Sequence, residues 1–171
     1  MISGVTEKDH KQVFETWLQQ HKGLVFKVVR AYASGAMEED DLFQEITIQI
    51  WKSIPAFRNH SAVTTWIYRI SLNTAIKWIR QSHRHSTESL DNVHQLLQAT
   101  HHVPDERLNW LYEQIRNLDE IDRSVTLLML DSYSYKEISN ILGISESNVG
   151  VKINRIKKQL IEKSKNINYG I

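Results

Sequence analysis

Between Ser147 and Lys158 the chain carries Ser147, Asn148, Val151, Lys152, Arg155 and Lys158. They alternate short polar, methyl-bearing and cationic side chains. At 100° per residue, Ser147, Val151, Asn154, Arg155 and Lys158 share the side of a helix opposite its apolar stripe, with Asn148 and Lys152 flanking. Such a set suits duplex DNA. Hydroxyl and amide groups read base edges, a valine methyl matches a thymine methyl, and cations hold phosphates. Ser147, Asn148 and Val151 are therefore expected to face bases. Lys152, Arg155, Lys157 and Lys158 are expected mostly on phosphate, with Arg155 close enough to the outward face to reach a base. A second set interleaves Trp66, Tyr68 and Trp78 with Arg69, Lys77, Arg80 and Arg84. Aromatic rings stack on unpaired bases while charges pair with phosphates, although aromatics at helical spacing also serve as core. The third set, Asp41, Gln44 and Glu45, falls at i, i+3 and i+4 and makes a compact acidic patch fit for a basic partner surface.

The elements that must position these groups are legible. Ser134 and Glu137 form a capping-box pattern ahead of Ile138, Ile141 and Leu142. Gly143 stands where a left-handed cap is expected, with Ile144 packing back over the turn. Ser145 caps a second helix whose apolar positions Val149, Ile153, Ile156 and Leu160 keep to one narrow arc. A short helix, a glycine turn and a second helix with a polar, basic outer face make a helix-turn-helix. A plain helical hairpin is the alternative, and charge argues against it. From Lys152 to Lys165 six Lys or Arg face one Glu.

The net charge of +1 conceals a partition: +2 over residues 1–80, −5 over 81–131 and +4 over 132–171. With 41% hydrophobic and 24% charged residues, 171 residues suit one domain or two small ones. No apolar run is long enough for a membrane span, and the N-terminal residues lack the apolar core of a secretion signal. The absence of cysteine rules out disulfides and thiolate zinc sites, in keeping with a cytoplasmic protein. Two prolines, six glycines and few alternating patterns predict an all-α fold.

Along the chain, Val13, Phe14, Trp17 and Leu18, then Leu24, Val25, Val28 and Val29, predict core-facing helix, with Gly23 breaking or bending it. Met37-Glu38-Glu39-Asp40 is an acidic start for a helix running to Ile54, with Leu42, Ile46 and Ile50 inward and Ile54 or Trp51 completing the stripe. Pro55 ends it, a loop follows, and residues 63–86 form another long helix. His83 to His102 holds five of the eight histidines among polar residues and reads as a flexible linker. None of those histidines is paired on one face, so no metal site is expected. Residues 104–131 return to helix, with Leu118 to Arg123 as a helix junction. There is no Gly-rich phosphate loop, no Gly-x-Ser-x-Gly elbow and no His-Glu-x-x-His, so no enzyme, cofactor or small-molecule substrate is expected.

Four ordered blocks make the chain resemble the sigma-seventy family of RNA polymerase sigma factors, in the small extracytoplasmic-function branch. Asp41-Leu42-Phe43-Gln44-Glu45 resembles the family's core-polymerase-binding helix. Phe57-Arg58, then Thr65-Trp66-Ile67-Tyr68-Arg69-Ile70 and Asn73, is similar to its promoter-melting and minus-ten block. Leu118 to Arg123, and Tyr135-Lys136-Glu137-Ile138 to Lys157, resemble the domain that reads the minus-thirty-five element. The resemblance implies two small helical domains, 9–82 and 105–165, joined by a linker over 83–104. It implies polymerase contact at Asp41, Gln44 and Glu45, and minus-ten DNA at Phe57, Arg58, Asn59, His60, Ser61, Trp66, Arg69, Asn73, Lys77 and Arg80. Minus-thirty-five DNA would meet Tyr135, Lys136, Ser147, Asn148, Val151, Lys152, Arg155 and Lys158. Core RNA polymerase and promoter DNA, duplex and melted, are the implied partners, with an anti-sigma factor as a further candidate. Three positions depart from the family pattern. Asn59 and His60 stand where a glycine and an acid are usual, and Gly150 stands where a basic side chain is common. Asn tolerates positive φ almost as glycine does, which would preserve the loop shape. A free-standing helix-turn-helix regulator is the alternative function, and binding to core polymerase discriminates the two.

Overall fold

The computed structural model describes residues 6–86 and 105–167, the backbone alone at 83–86. The chain divides into two compact units, with the boundary between His102 and Val103. Among the described residues every regular element is helical, as the sequence predicts.

In the N-terminal unit, α1 spans Glu7–Tyr32, α2 Ala36–Ser53 and α3 Val63–Ser86. Thr6 and Asp9 close a capping box at the start of α1. The helix then runs through Gly23 without a break, so of the break or bend expected there the break does not occur. A mid-helix glycine costs about 1 kcal/mol. Burial of Trp17 before it and of Val25, Val28 and Val29 after it outweighs that, at about 1.5–3 kcal/mol per large apolar side chain. Gly35, at φ 96°, turns the chain into α2. Its first-turn Glu38 reaches back to the Ser34 amide at 2.8 Å. Leu42, Ile46 and Ile50 are buried, as predicted. Trp51 is half-buried and stacks on His10, with ring centroids 4.0 Å apart. Pro55 closes α2 in a single 3-10 turn, Ile54–Ala56. From α3, Ile67, Tyr68, Leu72, Ala75, Ile76 and Ile79 enter the core that the three mutually packed helices share.

In the C-terminal unit, α4 spans Glu106–Arg116, α5 Glu120–Leu130, α6 Tyr135–Leu142 and α7 Glu146–Ser164. Asp119 caps α5 at the predicted junction. The helix-turn-helix forms as its sequence requires. Ser134 and Glu137 close the capping box, Gly143 takes φ 68°, and Ser145 caps α7. Ser139 Oγ donates to the Ile144 carbonyl at 2.6 Å, so the small side chain tethers the turn. Val149, Ile153 and Ile156 are buried with Val125, Leu127, Leu128, Ile138 and Ile141. Of the linker expected over 83–104, residues 83–86 continue the backbone of α3, which ends at Ser86. Its remainder lies outside the described residues.

Candidate nucleic-acid interface

On α3, Trp66, Arg69, Asn73, Lys77 and Arg80 fall at i, i+3, i+7, i+11 and i+14. That places all five within about 80° of arc, one stripe along the helix. Asn73, Lys77 and Arg80 are exposed, and Arg69 and Trp66 are half-buried. The side chain of Arg84 lies outside the described residues. Of the three aromatics, Tyr68 is core at 1% exposure. Trp66 Nε1 donates to Ser53 Oγ at 3.1 Å.

The loop of residues 57–61 is held by its first residue. The Phe57 ring meets Trp17 edge-on at 5.2 Å and Trp66 at 5.4 Å. Phe57 thus fastens the loop to both long helices. Arg58 Nη1 donates to the Pro55 carbonyl at 2.7 Å, which folds that side chain back along the loop. Asn59 adopts φ 58°, the left-handed conformation expected of an asparagine in a glycine's place. His60 is exposed and Ser61 half-buried.

On α2, Asp41 and Gln44 are exposed and Glu45 is half-buried. Glu45 Oε1 accepts from Gln49 Nε2 at 3.0 Å. Both line a groove of about 570 Å³ between α2 and α3, with Lys52, Asn73, Lys77 and Trp78. Two predicted surfaces thus meet, because Glu45 borders the same groove as Asn73 and Lys77. Along α2, Met37, Asp41, Gln44 and Ile48 follow i, i+4, i+7 and i+11. Met37 and Ile48 are exposed apolar side chains, so the acidic patch has an apolar residue at either end.

On α7 the outward face runs through Ser147, Val151, Asn154 and Lys158, all exposed, with Val151 63% accessible. Two flanks border it. Gly150 and Lys157 lie toward the start of α6, where a methyl group on Gly150 would sit 3.4 Å from Tyr135 Cε2. The glycine leaves room for the tyrosine ring against the helix. Tyr135 and Lys136 are exposed at the first turn of α6.

The other flank carries Asn148, Lys152 and Arg155, and there the expected roles are revised. Lys152 Nζ donates to Asp122 Oδ1 at 2.7 Å, and Arg155 Nη2 to Asp122 Oδ2. The Asp122 side chain is 5% exposed, that of Lys152 17% and that of Arg155 49%. Lys152, expected on phosphate, has its ammonium committed within the domain. A buried carboxylate without cations is too costly to leave unpaired. Asp122 escaped the sequence reading because an acid in the first turn of a helix ordinarily needs no partner beyond the helix dipole. Thirty residues separate it from Lys152, and no pattern signals the pair. At the capping box, hydrogen bonds from the backbone and hydroxyl of Ser134 hold the Glu137 carboxyl below its ordinary pKa.

Among the described residues no group of three or more His, Asp or Glu is placed to hold a metal, and no helix is long and apolar enough to cross a membrane. Two helical units, each turning a polar, basic helix face outward, define a nucleic-acid-binding transcription factor. The model of sigma-70 region 2 matches residues 17–85, and that of sigma-70 region 4 matches residues 108–160. The chain belongs to the sigma-70 family, in its extracytoplasmic-function branch, and its function is to direct RNA polymerase to promoters. The RNA polymerase sigma factor YlaC of Bacillus subtilis is 29% identical over 127 residues, 70% of this chain and 73% of that protein. The ECF RNA polymerase sigma-E factor of Haemophilus influenzae is 26% identical over 177 residues, 95% of this chain and 93% of that protein. The fold matches that of RpoE from Bartonella quintana, solved with the anti-sigma factor NepR. The TM-score is 0.75 at 19% identity, over 91% of this chain and 98% of that one.

Proposed function

We propose that the N-terminal unit, over about residues 9–82, docks on core RNA polymerase and opens the minus-ten region. The unit over about 105–165 holds the upstream duplex. The observation that carries this division is the exposed stripe Asn73, Lys77 and Arg80 on α3 beside the acidic edge of α2. One small unit thus offers an acidic edge to a protein surface and a basic stripe to a nucleic acid, faces of opposite sign that suit different partners. Asp41, Gln44 and Glu45 meet a basic surface of the polymerase, with Met37 and Ile48 as apolar contacts at the ends of the patch. The loop of residues 57–61 is a rigid presenter. Phe57 anchors it, and Asn59, His60 and Ser61 face a base turned out of the stack, whose pocket Asn73 would help to line. Trp66 supports the loop from below.

In the C-terminal unit, Ser147, Asn148 and Val151 face base edges, Lys158 and Lys157 touch phosphate, and Tyr135 and Lys136 meet the backbone at the start of α6. The protein works in the cytoplasm as an initiation factor with no chemistry of its own. An anti-sigma factor is its candidate regulator, as NepR is found with the Bartonella protein and the cytosolic domain of CnrY with CnrH. Run-off transcription with purified core enzyme on the gene's own upstream region tests the reading. A defined start that requires this chain supports it, and promoter binding by the chain alone with no response of the polymerase refutes it.

A further inference from the structure

The α5 carboxylate beneath the recognition helix has no part in any of these contacts. Asp122 is anchored by its own backbone: its amide donates to Asp119 Oδ1 at 2.8 Å, and its carbonyl accepts from Thr126 Oγ1 at 2.7 Å. The main chain that carries the carboxylate is therefore held in place on α5, and the α7 cations reach across to it. Lys152 does so with a side chain 17% exposed, and Arg155 with one 49% exposed. The two cations differ in what remains to them. The Lys152 ammonium gives one of its three donors to Asp122 and sits on a side chain only 17% exposed, so little of it is open to a phosphate. A guanidinium carries five N–H donors in a planar fork, so one nitrogen on Asp122 leaves others directed outward.

We propose that Asp122 is a specificity-determining positioning residue for upstream DNA. It withdraws Lys152 from the phosphate contacts, and it fixes the plane of Arg155 so that the remaining N–H groups meet one base or one phosphate geometry. The inference rests on the reading of α7 as the helix that meets duplex DNA. A cation free to reach any phosphate adds affinity to every sequence alike. A guanidinium held by one edge loses that freedom and rewards only the base step that fits its other edge. Charge is thereby traded for selectivity. Arg155→Lys would keep the charge and lose the fork, so selectivity should fall as far as with Arg155→Ala.

The test uses the full chain bound to core polymerase. The probe is a duplex selected by that holoenzyme from a pool randomised in the upstream element, compared with the same duplex scrambled there. Lys158→Ala is the reference and should lower the slope of log affinity against log salt by about 0.9. Lys152→Met should leave that slope at the wild-type value. Asp122→Asn, nearly isosteric, should raise the slope by about one to two units as its cations are released. It should also cut the preference for the selected duplex by roughly tenfold. A Lys152→Met loss as large as that of Lys158→Ala overturns the proposal, as does an Asp122→Asn protein with unchanged slope and preference. Should Asp122→Asn fail to fold, the Lys152→Met slope alone decides. Failure of Lys158→Ala to change any slope would instead strike at the DNA-facing assignment of α7.

Discussion

Gly150 makes the placement of α7 against α6 open to measurement. It lies well inside the helix Glu146–Ser164, where Gly is about 0.8–1.0 kcal/mol less favourable than Ala. A Cβ added there meets only the Tyr135 ring, at 3.4 Å from Cε2 and 3.8 Å from Cδ2. Those distances are at the near edge of ordinary van der Waals contact. Tyr135 is 44% exposed, so its ring can shift by a few tenths of an ångström without disturbing the core. Gly150→Ala should therefore stabilise the C-terminal unit by about 0.5–1 kcal/mol. Native-state hydrogen exchange of the α7 amides isolates that unit from the rest of the chain and should slow about two- to fivefold. Arginine at the same position must push past the ring and should forfeit that gain, while its charge raises the salt slope on DNA by about 0.9. Faster exchange in Gly150→Ala would refute the reasoning, because it would mean that the Tyr135 ring is rigidly fixed where the methyl group must go.

Other residues offer independent checks. Asp41→Lys with Glu45→Lys should abolish co-purification with core polymerase while circular dichroism keeps its helical signal, and undiminished binding would show that the patch is merely solvated. Ile153→Ala removes a buried core residue of α7 and should cost about 2–5 kcal/mol in urea unfolding. Asn59→Gly should fold as well as wild type, whereas Asn59→Val meets a steric penalty of about 1–2 kcal/mol at positive φ, seen as a lower melting temperature. The Glu137 carboxylate has a folded-state pKa below its unfolded value. Its contribution to α6 is thus present above the unfolded pKa and lost as pH falls through the folded one. Glu137→Gln should flatten that acid limb in a pH series of α6 exchange rates, and an unchanged limb would exclude the capping box as its source.

Much of this protein is written in local sequence. Caps at Ser134, Asp119 and Ser145, the turn at Gly143 and the buried stripes Leu42-Ile46-Ile50 and Val149-Ile153-Ile156 all rest on neighbours within a few residues, so short-range chemistry decides them. The positive φ of Asn59 is of the same kind. The exposed stripe on α3 follows from helical period alone. Where local preference was weak, packing decided instead. Gly23 continues α1 because the residues on both sides of it are buried by other helices. Phe57 and Trp66 became the anchor of a loop because Trp17 arrives from α1, some forty residues upstream of the loop. Lys152 shows the limit most clearly. Its position on α7 and its charge both suited a phosphate, and nothing within ten residues opposed that. Only when α5 lays a desolvated carboxylate beside it does the ammonium acquire a partner within the domain, since a buried charge must be matched from wherever in the chain a counter-charge can reach.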